Sequence, residues 1–339
     1  MEKNKITLDR FRIIAAILIV AIHTYPFESI NENLDFVFTH VVCRIGVPFF
    51  LMITGFFVLP KALENRKRLV DYTIKITKVY VLCMILYLPV SLYAGKLNHL
   101  SAIQILKDIF LNGTFYHLWY FPALILGIWI VYFLLRYYNK KIVGIIVVFL
   151  YVIGLFGDSY LGISEKWIVT STLYNGIFTI FDYTRNGLFY VPIFLSLGYL
   201  FTQVKWNLSP KVNLICIVFS LIAMIIEGLI LHHFHLQKHD SMYIMLIPLT
   251  ASLFYSILQG NGENNRKLRS ISTMIYIIHP LFIIVVRGIA KVLHLQSIMV
   301  DNSFIHYMLV VAFSVGFSIL FEMLKEKWIE RKLQKNESC

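Results

Sequence analysis

A chain of 339 residues that is 58% hydrophobic and only 15% charged, with a mean hydropathy of +0.71, carries too little polar surface to cover a water-soluble domain. Its net charge of +12 comes without a basic patch interleaved with aromatic residues. The charge therefore points to membrane topology and anionic lipid rather than to nucleic acid. Cys43, Cys83, Cys216 and Cys339 have no paired spacing and imply neither a disulfide framework nor a metal site.

A spanning helix needs about 20 mostly apolar residues. On that ruler the sequence predicts ten spans, near 10–26, 37–60, 70–94, 118–137, 142–157, 186–202, 212–231, 241–258, 270–288 and 303–324. The fold class is thus all-α, a polytopic membrane protein with about ten transmembrane helices. The first span, "FRIIAAILIVAIHTYPF", is followed by no small-residue cleavage site, so it reads as an uncleaved helix. Arg12 and His23 bracket ten uncharged residues in it. Eleven positions apart, they lie about 20° past three full turns and about 16 Å apart along the axis, on one face. Arg12 suits a snorkelling anchor at the cytoplasmic mouth. An imidazole inside a span lines a cavity or meets a partner.

Arg44 enters the second span about 10 Å in and faces either a polar cavity or an ion-pair partner, for which Glu227 is the one acid well inside a span. The loop 95–117 contains "LSAIQILKDIFLNG", whose apolar residues recur at three and four as in an interfacial helix. At the outer helix mouths gather His117 and Trp119 of "YHLWYFPA", Asp182 and Arg185 of "DYTRNG", and His239 and Asp240 of "HHFHLQKHDSMY". The loop 158–185 is mixed in polarity and reads as a partly re-entrant segment or a cap. His279 of "IYIIHP", beside Tyr276 and ahead of Pro280, lies near the middle of the ninth span.

The basic residues test the count independently, because short cytoplasmic loops carry an excess of Lys and Arg. With the N-terminus inside, 23 of the 31 fall on cytoplasmic segments or mouths, seven fall outside and Arg44 lies within a helix. Both termini are then cytoplasmic. No internal repeat interrupts the chain, which divides into a transmembrane domain, 1–324, and a basic cytoplasmic stem, 325–339, "KEKWIERKLQKNESC".

The pair Arg12 and His23, then "RIGVPFFLMITGFF", "HLWYFPALILG" and "IYIIHP", in that order, resembles the acyltransferase-3 family over nearly the whole chain. "YHLWYFPALILG", "DYTRNGLFYVPIFLSLGYLF" and "QKHDSMY" are further similar to the membrane domain of the membrane-bound serine racemases of vancomycin-resistance clusters. In those proteins a pyridoxal-phosphate racemase domain lies in the cytoplasm, and no such domain is expected in this chain.

The family resemblance implies transfer of an acyl group from cytoplasmic acyl-CoA to an extracytoplasmic hydroxyl, such as that of a glycan, in a bacterial plasma membrane. His23 matches the proposed catalytic histidine, with Arg44 as a stabiliser of developing negative charge. Arg10, Arg12, Lys75 and Lys78 would hold the phosphates of coenzyme A. Lys75 and Lys78 stand where many members carry R-x-x-R, and lysine lacks the planar fork of arginine. Trp119, Arg185, Asp240, Glu227, Tyr276 and His279 would contact the acceptor. The racemase resemblance implies instead delivery of L-serine inward, with Arg44 on its carboxylate and Glu227 or Asp240 on its ammonium. A third reading is a membrane anchor or sensor whose polar groups are internal pairs.

Overall fold

The computed structural model describes residues 6–95, 101–260 and 265–337. Its longer helices are α1 (Ile6–Thr24), α2 (Glu32–Glu64), α3 (Arg66–Tyr93), α4 (Tyr120–Tyr137), α5 (Lys140–Phe156), α6 (Ile168–Ile180), α7 (Val191–Gln203), α8 (Pro210–His233), α9 (Leu246–Gln259), α10 (Arg266–Leu293) and α11 (Ser303–Glu337). No strand occurs among the described residues. Several helices begin where a polar side chain takes the first orphan N–H groups. Asn65 accepts from Lys67 N, Asn139 from Ile142 N, and Asn265 from both Lys267 N and Leu268 N. Ser209 accepts from Val212 N, and Pro210 opens α8 with its φ already set.

Six of these helices are long and apolar enough to cross a membrane: α2, α3, α4, α8, α10 and α11. A helix also covers each of the other expected spans, but differently. In α1 the first turns carry Asp9, Arg10 and Arg12. The segments expected at 186–202 and 241–258 are helical only over the 13 residues of α7 and the 14 of α9, about 20 Å each, short of a hydrocarbon core of about 30 Å. The reason is local hydrogen bonding, since side chains take the backbone N–H groups before both helices, as set out below. The loop 158–185 contains α6, and within 95–117 a short helix, Ala102–Lys107, runs into a π turn, Asp108–Asn112. Residues 96–100 lie outside the described part. Helix α11 runs without a break through the 324/325 boundary of the expected stem, and Cys339 lies outside the described residues.

The chain forms two compact units, Met1–Val47 with Leu253–Cys339, and Pro48–Ser252. In the first, α1, α10 and α11 pack together. Asp9 on α1 accepts Asn265 N at 2.8 Å at the start of α10, and fourteen residues later His23 stacks on His279, so α1 and α10 run parallel. Helix α11 returns antiparallel. Its Ser303 bonds Ser29 and Pro26 O at one end, and its Glu322 meets Ser270 at the other, 2.5 Å from the hydroxyl.

In the second unit, α7 packs on α4 and α5, and α3 on α4. Gly198 of α7 and Gly55 of α2 form a reciprocal contact. A Cβ on Gly198 would run into Met52 O, and one on Gly55 into Leu195 O. Without a hydrophobic drive between helices in lipid, such close backbone approach supplies the packing. Two acids tie the loops down. Buried Asp158 accepts Ser241 N at 2.8 Å, Met242 N at 3.1 Å and Ser159 Oγ at 3.0 Å. Glu227, near the end of α8, accepts Ile244 N at 2.6 Å, Met245 N at 3.1 Å and the Tyr160 hydroxyl at 2.8 Å. Before α7, Asn186 Oδ1 does the same for Leu188 N and Phe189 N.

The glycine contact predicts that Gly198→Val lowers stability by about 1–3 kcal/mol through overpacking. Gly144→Ala in α5, where a Cβ meets nothing within 4 Å, is expected to be neutral or stabilising by up to ~1 kcal/mol. Thermal melting of the two purified variants in detergent checks the pair. Glu227→Ala leaves three donors without their acceptor and is expected to cost roughly 2–4 kcal/mol, with Glu227→Gln milder; melting of ligand-free protein measures it.

Candidate functional site

His23 occupies the last turn of α1 and is partly exposed. Its ring stacks on that of His279, with centroids 5.3 Å apart and planes 17° from parallel. His279 is fully buried in α10, one position before Pro280. Its Nδ1 lies 2.9 Å from Tyr276 O and 3.2 Å from Ile275 O. Carbonyl oxygens only accept, so Nδ1 carries the hydrogen and Nε2 of the neutral ring is the acceptor atom. Tyr276 completes the group, its ring 6.2 Å from that of His279. The structure thus joins three of the expected site residues, His23, Tyr276 and His279.

Arg44 belongs to the same unit and is buried, at 8% exposure. It sits in a 3₁₀ stretch, Val42–Ile45, that follows a π stretch, Phe36–Val41; such departures from the α ladder are frequent at functional places. Its Nε donates to His40 O at 3.4 Å. Nearby, buried Asp35 accepts Phe27 N at 2.8 Å and Thr39 Oγ1 at 3.0 Å.

At the far end of α1, Arg10 is exposed and Arg12 is drawn to Asp9, Nε to Oδ1 3.6 Å, as is Arg269 at 3.4 Å. Lys267 pairs with Glu326 and Lys325 with Glu322, each at 2.9 Å. Asp9 escaped the sequence reading, although its i, i+3 spacing to Arg12 was there to be read.

The second unit holds the remaining expected residues. Lys75 and Lys78 are exposed on α3, nine and twelve residues beyond its start at Arg66, about 14 and 18 Å along the axis. Glu227 has three acceptor positions committed to the donors of the α9 start and Tyr160. Burial, then the Glu227 charge, pushes the Tyr160 hydroxyl above its ordinary range, so it stays protonated and donates. Trp119 and Arg185 are brought together, the guanidinium 5.0 Å from the indole and 5.0 Å from the Tyr183 ring. Gly113, at φ +85°, passes so close to Trp119 N that a Cβ would strike it, which fixes the backbone ahead of α4. Asp240 is partly buried in the loop that Asp158 pins, where His239 Nδ1 meets Ser241 Oγ at 2.8 Å. Beside that loop, partial burial of Lys238 over Phe178 lowers its pKa below the usual lysine range, while Asp182, Glu165 and Asp158 oppose the shift.

The model of an acyltransferase domain matches residues 5–323. Two proteins of Enterococcus faecalis, each named amino-acid racemase, are 40% identical to the chain over 321 and 331 residues. Each match covers 94% of this chain, but 45% of the first protein and 46% of the second. A serine/alanine racemase of Enterococcus gallinarum is 34% identical over 337 residues, covering 97% of this chain and 47% of that protein. The chain therefore spans about half the length of the curated relatives it matches. No solved structure matches. Apolar helices of spanning length and a family match over nearly the full sequence converge: this is a multi-pass membrane protein, and it belongs to the acyltransferase-3 family.

Proposed function

We propose that the protein works in a bacterial plasma membrane and transfers an acyl group from cytoplasmic acyl-CoA to an extracytoplasmic hydroxyl, with His23 as general base. The observation that carries this reading is the stacked His23 and His279 pair. His279 is locked by two carbonyls and gives His23 a rigid flat support, while His23 stays partly exposed. In the proposed step His23 takes the acceptor hydroxyl proton as that oxygen bonds the acyl carbonyl carbon. The thioester C–S bond then breaks, and the leaving thiolate of coenzyme A takes up the proton. Arg44 is the cation proposed to steady negative charge on the carbonyl oxygen. Since Asp9 already draws on both Arg12 and Arg269, the exposed Arg10 is the freer anchor for donor phosphates at that end of α1.

We further propose ten spans with both termini cytoplasmic. That order requires the first and ninth spans to run one way and the tenth to return, and the courses of α1, α10 and α11 support it.

A second reading is favoured by the names of the relatives, amino-acid racemase and serine/alanine racemase. On it the chain is the membrane part of a vancomycin-resistance racemase system and passes L-serine inward to a cytoplasmic racemase domain, without acyl transfer.

Purified protein is expected to turn over acyl-CoA with a hydroxyl acceptor, and His23→Ala to slow it by about 10²–10⁴-fold; equal turnover removes the base assignment. Saturable uptake of labelled L-serine into proteoliposomes without any acyl donor selects the second reading. In a chain freed of its own cysteines, a reporter cysteine at Asn139 or Ser209 is expected to label from the side of the termini, and one at Trp167 or His294 from the other. A reversed pair breaks the ten-span order.

A further inference from the structure

In the second unit, two rings hold one guanidinium. Trp119 and Tyr183 each stand 5.0 Å from the Arg185 guanidinium carbon. Aromatic faces stabilise such a planar cation, and its N–H edge is the part that recognises carboxylates. Arg185 borders a pocket of about 160 Å³ whose lining residues also include Asp108, Asp182 and Asn112.

The walls of this pocket are preset. Gln104 Nε2 donates to Asp108 Oδ1 at 2.9 Å, and Asn186, next to Arg185, bonds Leu188 N and Phe189 N. Asn112 Oδ1 accepts Asp182 N at 3.3 Å. The Asn112 Nδ2 donor is buried with no hydrogen-bond partner. A buried donor without an acceptor is costly, and an oxygen of a ligand entering the pocket supplies one.

Size and charge narrow the ligand. At about 160 Å³ the space is well below the roughly 300 Å³ and more of pockets for drug-sized ligands. One cation and two carboxylates around so small a space are matched by a molecule that bears both signs a few ångströms apart; a neutral sugar ring matches neither.

We infer that this pocket binds a small zwitterion, an α-amino acid, with its carboxylate on the Arg185 edge and the Asn112 amide and its ammonium toward Asp108 and Asp182. The inference rests on the amino-acid reading of the chain and is independent of the chemistry at His23. It places the ammonium on carboxylates other than Glu227, which the loop clamp has engaged.

Calorimetric titration of the purified full chain in detergent tests it, with L-serine and L-alanine as probes. Saturable binding of both is expected. N-acetyl-L-serine, lacking the ammonium, and L-serine methyl ester, lacking the carboxylate, should each bind at least about tenfold more weakly. Arg185→Gln and Asp182→Asn should weaken L-serine by a similar factor at an unchanged melting transition. Where a variant fails to fold, the two analogues on the wild-type chain decide. No binding of either amino acid, glucose binding as tightly as L-serine, or folded variants that bind like wild type overturn the inference. Uptake of labelled L-serine separates the two layers. Uptake equal in wild type and both folded variants removes the pocket and leaves amino-acid passage standing, whereas binding at the pocket without uptake keeps the pocket and removes passage.

Discussion

In hydrocarbon no water is at hand to satisfy a donor or an acceptor, so each polar group inside the membrane part has to be met by the protein itself. This chain answers with buried and half-buried carboxylates that gather backbone N–H groups and cations. Asp9 joins the start of α10 to α1, Asp158 pins the strand of chain ahead of α9, and Glu227 takes the last two free N–H groups before that helix. Each acid links segments far apart in sequence, up to 256 residues in the case of Asp9 and Asn265. The helices α7 and α9 can be short because their entrances are saturated by side chains rather than by further turns of helix.

That principle separates structural acids from candidate ligand groups. Glu227 reads from sequence as the lone acid of a span and thus as a functional residue. Its three donors give it a part in the architecture. His279, a lone histidine beside a proline, shows the opposite case. The hydrogen bonds of its Nδ1 look structural, yet they fix which nitrogen can accept a proton and what surface His23 leans on. On the acyl-transfer proposal, a residue held this firmly would act through its neighbour, as a positioning residue rather than as the reacting base.

The sequence made the helical class and the places of the long apolar helices legible, because hydropathy reports on the solvent each residue faces. It also made the shared face of Arg12 and His23 legible, since helical geometry fixes it. What it hid were partners made by chain folding. Nothing local to His23 announces His279, 256 positions on, and nothing in "FGDSY" announces that Asp158 will meet the backbone of Ser241 and Met242. The starts of α7 and α9 were misplaced for the same reason, since hydropathy does not register N–H groups captured by Asn186 or Glu227.

The lysines of α3 bear on how the two functional readings divide. An arginine pair could hold a phosphate bidentately, while Lys75 and Lys78 offer two point charges, and both project from an exposed face of the helix. The departure from the family pattern thus falls at the donor end of the proposed reaction. A chain with a small polar pocket and a weak hold on a large phosphorylated donor would be fitted to handle a small charged molecule, as the second reading proposes. Relatives named for amino-acid racemisation, matched over nearly this whole chain, are the company such a change would lead one to look for, and they give the second reading a physical footing beside the first.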